Sequence, residues 1–264
     1  MNIINIIASI LILYLIIVIF IFFYQRKLLY HPSENNYLDE TNLNHKIERV
    51  YIQSDNQLVA WYYIKDKKFK TILFFHGNAG KLDNRVYKLN ELSRLDVNYL
   101  ILAYRGFSGN KGSPSEKGLY IDSIAAKNWL NNIGVEDESI ILYGESLGTA
   151  VAVNLASENE FAGIILESPF TSMVKLAKKY YPYLPVKILL KDKYESEKKL
   201  RGINTPILVM HGEQDTIVPF EMGKRIYEIS LQPKYKYFNE IDDHMMDYNS
   251  QLIQSINRFI KSLN

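Results

Sequence analysis

The chain has 264 residues, of which 47% are hydrophobic and 23% are charged, and this composition is typical of one globular domain with a buried core. A formal net charge of +2, with basic and acidic residues mixed along the chain, excludes an extended nucleic-acid-binding surface. The absence of cysteine excludes disulfides, a cysteine nucleophile and a cysteine-ligated zinc site.

The first predicted element is an apolar segment at residues 3–23 that contains no charged side chain. As a helix it would be about 31 Å long, which matches the hydrocarbon core of a bilayer, so we expect a single transmembrane anchor. Tyr24 and Tyr30 lie where an interfacial aromatic belt falls, and Arg26 and Lys27 follow the segment, with no basic residue before it. This asymmetry predicts that the rest of the chain is cytoplasmic. A cleaved signal peptide is the alternative, but its basic start and small-residue cleavage site are missing.

Residues 31–47 form the second predicted segment, which is polar and contains Pro32 and several asparagines. Such a composition is typical of a linker rather than a core element. The pattern therefore divides the chain into an anchor region at residues 1–30, this linker, and one folded domain at residues 48–264.

Short apolar runs alternate with helical patterns through the folded domain, which predicts an α/β fold: a mostly parallel sheet with helices on both faces. The first two runs flank turn residues and predict an antiparallel hairpin at one edge of the sheet. Eight strands are expected, at residues 48–53, 58–64, 71–75, 98–103, 139–143, 163–166, 206–210 and 235–238. Helices are expected at residues 85–95, 116–131, 147–156, 220–229 and 248–261.

Residues 171–201 interrupt this alternation with a lysine-rich helical pattern and a second apolar run at 186–190. We interpret them as a small cap over the sheet. Its tyrosines and leucines either line an apolar acyl pocket or bury one another, and the sequence leaves both open. Ligands of such sheets bind at the carboxyl ends of the strands, so chemistry is expected in the residues that follow each strand.

The segment from Gly144 to Gly148, with the sequence GESLG, follows a predicted strand and begins a predicted helix. This is the context of a nucleophile elbow, a sharp turn that projects a serine above the sheet. The two glycines fit because the turn crowds any side chain at their positions. Ser146 is therefore the predicted nucleophile.

A serine hydroxyl needs an adjacent base that is itself oriented by a third group. Asp215 follows the strand at residues 206–210, and His244 lies between the last strand and the last helix. The chain order serine, acid, histidine is the one that accompanies a nucleophile elbow in an α/β sheet. Glu167 also follows a strand and is an alternative acid, whose other expected role is a hydrogen bond within its loop.

The remaining four histidines have less specific surroundings. His76 and His211 lie at strand ends, where we expect them to bind loop backbone. His31 and His45 fall in the predicted linker, where we expect both rings to be solvated.

An oxyanion hole needs two backbone N–H donors, one of them from the residue after the nucleophile, Leu147. The second is expected from the loop after the strand at residues 71–75, where the small residues of HGNAG let the backbone approach a substrate. Asn78 is the candidate. A phosphate-binding loop at Gly80 and Lys81 is rejected because the required glycine spacing and the following serine or threonine are missing.

Together these motifs resemble the serine alpha/beta-hydrolase family, and within it the N-terminally anchored branch that includes bud-emergence-type proteins and protein depalmitoylases. The resemblance covers nearly the whole chain, and it is carried by FHGNAG at residues 75–80, YRGFSG at 104–109, GESLG at 144–148, ESPFT at 167–171 and HGEQD at 211–215. It implies an alpha/beta-hydrolase fold with a short cap over residues 180–190. It also implies a catalytic triad and an oxyanion hole, formed by Ser146, Asp215 and His244 and by Asn78 and Leu147.

The chain departs from that family around its histidine. Members usually carry two glycines before it and an asparagine after it, whereas this chain has Asp242, Asp243, His244 and Met245. Two carboxylates beside an imidazole favour its protonated form, so we expect the acid limb of the rate profile to lie at raised pH.

The predicted function is that of a serine hydrolase that cleaves carboxylic esters or thioesters through an acyl-enzyme, without a cofactor or a metal ion. Its expected substrate is a small-molecule or lipid-like acyl compound, or an acylated protein, reached near the membrane. A serine peptidase on the same fold is one alternative, although no large extra domain is present to gate peptides. A non-catalytic membrane-anchored scaffold is the other, because the surroundings of His244 are unusual.

Overall fold

The fold is that of a computed structural model, which describes residues 2–33 and 40–263. The strands are β1 (His31–Pro32), β2 (Glu48–Gln53), β3 (Gln57–Tyr63), β4 (Thr71–Phe75), β5 (Ala79–Gly80), β6 (Asn98–Leu102), β7 (Ile140–Glu145), β8 (Gly163–Glu167), β9 (Ile207–Gly212) and β10 (Lys234–Asn239). The helices are α1 (Ile3–Leu29), α2 (Val86–Leu92), α3 (Glu116–Asn132), α4 (Leu147–Ala156), α5 (Met173–Tyr180), α6 (Val186–Leu189), α7 (Ser196–Leu200), α8 (Phe220–Ile229) and α9 (Ser250–Lys261). Short 3₁₀ turns occur at Leu82–Arg85 and Asp137–Ser139.

Eight strands form one sheet in the order β10-β9-β8-β7-β4-β6-β3-β2. The β2–β3 and β3–β6 pairs are antiparallel, and the other pairs in this sheet are parallel. Successive residues of the central strands enter opposite layers of the core: Leu73 and Leu142 pack into one, and Phe74 and Tyr143 into the other. Because helices cover both faces of the sheet, side chains on both faces are buried, and the sequences of these strands are continuous apolar runs. The predicted eight-stranded, mostly parallel sheet with an edge hairpin is confirmed.

Two helices differ from their predicted bounds by two residues or more. The helix predicted at residues 85–95 starts as the 3₁₀ turn Leu82–Arg85 and ends at Leu92. The last helix begins at Ser250 because the Asn249 side chain accepts hydrogen bonds from the backbone N–H groups of the first helical turn. Tyr248 therefore lies outside that helix. Helices α5, α6 and α7 occupy the predicted cap, residues 171–201.

Helix α1 is long and apolar enough to cross a membrane, judged by its length and composition. It continues beyond the predicted apolar segment to Leu29. Its second half packs on the cap, where Val18 and Ile21 contact a cluster that contains Leu184 and Leu189. Residues 2–17 are exposed, whereas the later part of the helix is packed on the domain.

The described part of the predicted linker is not a spacer. His31 and Pro32 pair in parallel with Ala79 and Gly80 to form a second, two-stranded sheet, and residues 34–39 lie outside the described residues. His31 is exposed, as expected. The expected solvation of His45 is wrong, because its Nε2 lies 2.5 Å from the hydroxyl of Tyr99, a partner that is remote in the sequence.

Candidate active site

The turn between β7 and α4 holds Ser146 in a strained backbone conformation, with φ of 51° and ψ of −113°. Residues other than glycine rarely adopt such a positive φ, and this backbone conformation costs roughly 1–3 kcal/mol. The turn is also crowded: a Cβ at Gly148 would lie 2.0 Å from the carbonyl oxygen of Phe75, and a Cβ at Gly144 would lie 2.4 Å from Cα of Thr149. Glycine is therefore required on both sides of the serine, and the half-buried hydroxyl faces the carboxyl ends of the strands.

Three predicted residues meet at this edge of the sheet. The Oγ atom of Ser146 lies 3.0 Å from Nε2 of His244, and Nδ1 of the same ring lies 2.8 Å from Oδ2 of Asp215. When Nδ1 carries the proton and donates to the carboxylate, Nε2 is left to accept the serine proton. His244 comes from the loop between β10 and α9, and Asp215 from the loop after β9.

Asp215 has hydrogen-bond donors on both carboxylate oxygens. Its Oδ1 accepts from the backbone N–H groups of Ile217 at 2.8 Å and Val218 at 2.7 Å. Burial raises the pKa of Asp215, but the hydrogen bonds from His211, His244 and Val218 outweigh burial and hold this pKa well below its usual value. The carboxylate is therefore ionised at neutral pH.

His211 is a site residue whose contact with Asp215 the sequence did not reveal. Its buried ring binds the carbonyl oxygen of Val218 at 3.0 Å, which confirms the expected contact with loop backbone. The same Nε2 atom also lies 3.1 Å from Oδ2 of Asp215. Its position at the end of β9, four residues before the aspartate, was the available signal.

The two carboxylates that precede His244 do not bond its imidazole. Asp243 accepts hydrogen bonds from the backbone N–H of Thr216 at 2.9 Å and from the backbone N–H of His244 at 2.7 Å. Asp242 is buried, its Oδ2 has no hydrogen-bond partner in the described structure, and burial raises its pKa. Their side chains turn toward the loop backbone and the interior, and the expected effect of these carboxylates on the acid limb of the rate profile stays a prediction.

The loop after β4 passes beside Ser146, since a Cβ at Gly77 would lie 3.6 Å from Cβ of this serine. No acceptor among the described residues binds the backbone N–H of Asn78 or of Leu147. Two other polar groups of Asn78 are occupied: its side-chain Nδ2 donates to the carbonyl oxygen of Leu29 at 2.8 Å, and its own carbonyl accepts from the backbone N–H of His31 at 2.8 Å. The candidate oxyanion loop is therefore tied to the end of α1.

Several relatives are similar in sequence to the chain over most of its length. No protein-family model matches it. It is 35% identical over 215 residues to an uncharacterized protein of Mycobacterium tuberculosis, a match that covers 80% of this chain and 76% of that protein. It is 32% identical over 201 residues to alpha/beta hydrolase domain-containing protein 17B of Homo sapiens, with 72% and 66% covered. The chain belongs to the alpha/beta-hydrolase family.

Within this family, the hydrolase is also 35% identical over 198 residues to lysophosphatidylserine lipase ABHD12 of Danio rerio, and it spans about half, 51%, of that protein. Among solved structures, an esterase of Pyrococcus furiosus has a TM-score of 0.72 at 17% identity, with 89% of this chain and all of that chain covered. Est1E of Butyrivibrio proteoclasticus has a TM-score of 0.67 at 16% identity, with 81% and 98% covered. At these identities the two structures show the fold.

A buried charge cluster, formed by Arg85, Lys88, Glu145 and Glu167, includes the residue that precedes Ser146. Lys88 donates to Oε2 of Glu145 at 2.7 Å and to Oε1 of Glu167 at 2.6 Å, and Arg85 donates to Oε1 of Glu145 at 2.6 Å. Burial lowers the pKa of Lys88, but the two carboxylates outweigh burial and raise it. Burial conversely raises the pKa of Glu145, yet Arg85 and Lys88 hold it well below its usual value. Arg85, Lys88 and Glu145 are therefore held in their charged forms.

Glu167 and His76 are buried at strand ends, and their contacts show what each side chain binds. The two carboxylate oxygens of Glu167 are occupied by Lys88 and by the hydroxyls of Tyr143 and Tyr248, so it does not orient the imidazole of His244. His76 binds the carbonyl oxygen of Gly77 through Nδ1 at 2.7 Å, and burial lowers its pKa to about 3, which keeps the ring neutral. The expected backbone contact of His76 is confirmed.

Proposed function

We propose that this hydrolase is a membrane-anchored serine hydrolase that cleaves carboxylic esters or thioesters through an acyl-enzyme. The observation that carries the proposal is the continuous hydrogen-bonded chain from Ser146 through His244 to Asp215, with distances of 3.0 Å and 2.8 Å. An oriented imidazole beside a serine is the arrangement that makes its weakly nucleophilic hydroxyl reactive. The strained turn that presents Ser146 gives further support.

In the acylation step, Nε2 of His244 takes the hydroxyl proton as Oγ of Ser146 bonds to the carbonyl carbon. The negative charge that develops on the carbonyl oxygen is stabilised by the backbone N–H groups of Leu147 and Asn78. Asp215 stabilises the imidazolium, which then gives its proton to the leaving alcohol or thiol as the bond to carbon breaks.

In the deacylation step, water attacks the acyl-enzyme and gives a proton to His244. The second tetrahedral intermediate uses the same two backbone donors, and its collapse releases the carboxylic acid and returns the proton to Oγ of Ser146. No cofactor takes part in either step.

The membrane part of the proposal rests on α1, whose most apolar stretch has a mean hydropathy of 3.3 and whose last turns carry Arg26 and Lys27. Basic residues are enriched on the cytoplasmic side of membrane helices, so we place the catalytic domain in the cytoplasm. One relative is a lysophosphatidylserine lipase by name, which supports an acyl substrate with lipid character.

A fluorophosphonate probe tests the nucleophile directly, because it bonds covalently to an activated serine. The full-length protein in detergent is expected to be labelled, and Ser146→Ala to lose all labelling. Ser157→Ala is the matched control, since this exposed serine lies at the far end of the same helix, α4. Labelling of Ser146→Ala, or no labelling of folded wild type, would overturn the proposal and favour a non-catalytic scaffold.

Bond type is tested with three substrates that share one acyl group: an oxygen ester, a thioester and an anilide. We expect Ser146-dependent hydrolysis of the ester or thioester and a kcat/KM for the anilide that is lower by about 100-fold or more, because amides have poorer leaving groups. Preferential cleavage of the anilide would instead indicate a peptidase.

A further inference from the structure

A cavity of about 360 Å³ lies between α1 and the cap, within the size range of ligand sites. Its wall is mostly apolar and includes Ile21, Leu29, Leu176, Tyr180, Leu189 and Ile217. The polar residues at its edge bond to each other or to backbone: Arg26 forms a bidentate pair with Asp192, and Gln25 binds the carbonyl oxygen of Leu189. The cavity therefore suits an apolar ligand rather than a polar one.

Two residues of the cavity wall bond directly to the active site. The carbonyl oxygen of Leu29 accepts from the side chain of Asn78, the candidate oxyanion residue, at 2.8 Å. The backbone N–H of Ile217 donates to Asp215 at 2.8 Å. The cavity thus flanks the site from the oxyanion loop to the acid loop.

The cap reaches the depth of the apolar segment of α1. The hydroxyl of Tyr14 donates to the carbonyl oxygen of Tyr183 at 3.0 Å. Tyr14 precedes Phe23, the end of the apolar segment, by nine residues, which is about 13 Å along the helix axis. Ile188 is 84% exposed and Tyr183 is 67% exposed on this surface. In a bilayer these side chains would contact lipid, and the cavity would lie at the membrane boundary.

Charge on the cap points to the same surroundings. Residues 171–201 contain nine basic and three acidic residues, an excess of six positive charges in a chain whose net charge is only +2. Lysines 178, 179, 187, 191 and 193 form no ion pair within residues 2–33 and 40–263. Each basic residue near an anionic leaflet contributes about 1 kcal/mol of attraction, so the cap favours contact with anionic lipid.

We infer that the cavity between α1 and the cap is the acyl site of the enzyme, and that it takes the acyl chain of a lipid directly from the bilayer. The inference rests on the proposed function, since the ester bond of the bound lipid must reach Ser146. The anchor helix is then one wall of the substrate site as well as an attachment to the membrane.

Filling the cavity tests this inference. The full-length protein, in vesicles of phosphatidylcholine and phosphatidylglycerol, is assayed with p-nitrophenyl butyrate and p-nitrophenyl palmitate. Ala177 lines the cavity, and we expect Ala177→Phe to lower the palmitate-to-butyrate ratio of kcat/KM by about tenfold or more, because a blocked apolar site loses binding of the chain. Ile188→Phe adds the same ring on the exposed cap surface and is expected to leave both rates unchanged.

A second variant acts in the opposite direction. Leu176→Ala enlarges the cavity and is expected to raise the relative rate for the longer chain. An unchanged ratio in folded Ala177→Phe and Leu176→Ala, as judged by fluorophosphonate labelling, overturns the acyl site while the proposed function stands. Absence of Ser146-dependent hydrolysis of both esters by the wild type overturns the proposed function itself.

An S-palmitoylated peptide, added to the same vesicles, tests whether the acyl chain comes from a lipid or from an acylated protein. We expect Ala177→Phe to lower hydrolysis of the lipid-dissolved palmitate ester more than that of the peptide. If only the peptide reaction falls, the cavity serves an acylated protein and the lipid assignment is wrong.

Discussion

The ammonium group of Lys88 lies 2.6 Å from Oε1 of Glu167, and neither side chain has any solvent-exposed surface. Lys88 also binds Glu145, the residue before Ser146, at 2.7 Å. The backbone N–H of Gly77 donates to Glu145 at 3.2 Å, so the charge cluster connects α2, the end of β7, β8 and the loop after β4. The positions of these four segments therefore depend on the buried ammonium group of Lys88.

Lys88→Met is expected to destabilise the fold by about 3–5 kcal/mol, because it leaves buried carboxylates without their cation. Urea denaturation in detergent measures the loss. Lys198→Met is the control: this lysine is 73% exposed and pairs with Glu195, so we expect a change of less than about 1 kcal/mol. Equal stability of Lys88→Met and wild type would show that the cluster contributes nothing to the fold.

The acid limb of the rate profile is expected to have unit slope. The lowered pKa of Asp215 keeps its carboxylate charged as the pH falls, so this carboxylate adds no second proton to the loss of activity on the acid side. The measurement is log kcat/KM against pH. A slope of two would mean that Asp215 takes up a proton in the same range.

Asp243→Gly is expected to lower kcat/KM at every pH without displacing that limb. Its carboxylate holds the backbone N–H groups of Thr216 and His244, so its loss loosens the loop that carries the imidazole. The exposed neighbour Glu240→Ala is the control. A limb displaced to lower pH in Asp243→Gly would restore the expectation from sequence, in which the carboxylate acts on the ring.

Gly223→Ala is expected to destabilise the protein by about 1–3 kcal/mol and to lower kcat. A Cβ at Gly223 would lie 2.0 Å from Nδ1 of His211, whose ring contacts Asp215. Thermal unfolding should show a fall of about 2–4 °C for each kcal/mol. Gly202→Ala is the matched control, because its nearest neighbour would be 3.9 Å away. Comparable melting temperatures for the two variants would argue against tight packing of His211.

The proposed orientation is testable because the chain has no cysteine of its own. Asn2→Cys and Glu158→Cys place one thiol before α1 and one on the exposed surface of the domain. With an impermeant maleimide on intact cells, we expect labelling of Asn2→Cys alone, and of Glu158→Cys only after lysis. The reverse pattern would place the catalytic domain outside the cytoplasm.

Much of the fold and the meeting of the three site residues could be predicted because their signals are local. The apolar runs define the strands, and the glycines around Ser146 define the turn. The chain order of Asp215 and His244, each after a strand, then brings them to the same edge of the sheet.

Contacts between distant segments could not be predicted in this way. The pattern of a helix does not show that Lys88 is buried, because its partners follow 57 and 79 residues later. Likewise, Asp243 is adjacent to His244 in sequence, but adjacency does not give the direction of a side chain. The contact of Asn78 with Leu29 joins residues 49 positions apart and has no sequence signature.

If α1 spans a membrane as proposed, its hydrogen bonds with Asn78 give the surrounding lipid a way to influence turnover. A long apolar helix tilts when the bilayer becomes thinner. Tilting would move Leu29 and His31, which hold the side chain and the carbonyl of Asn78. Turnover would then respond to bilayer thickness, and a shortened chain that begins after residue 33 would differ from the 264-residue protein in the loop after β4 as well as in its solubility.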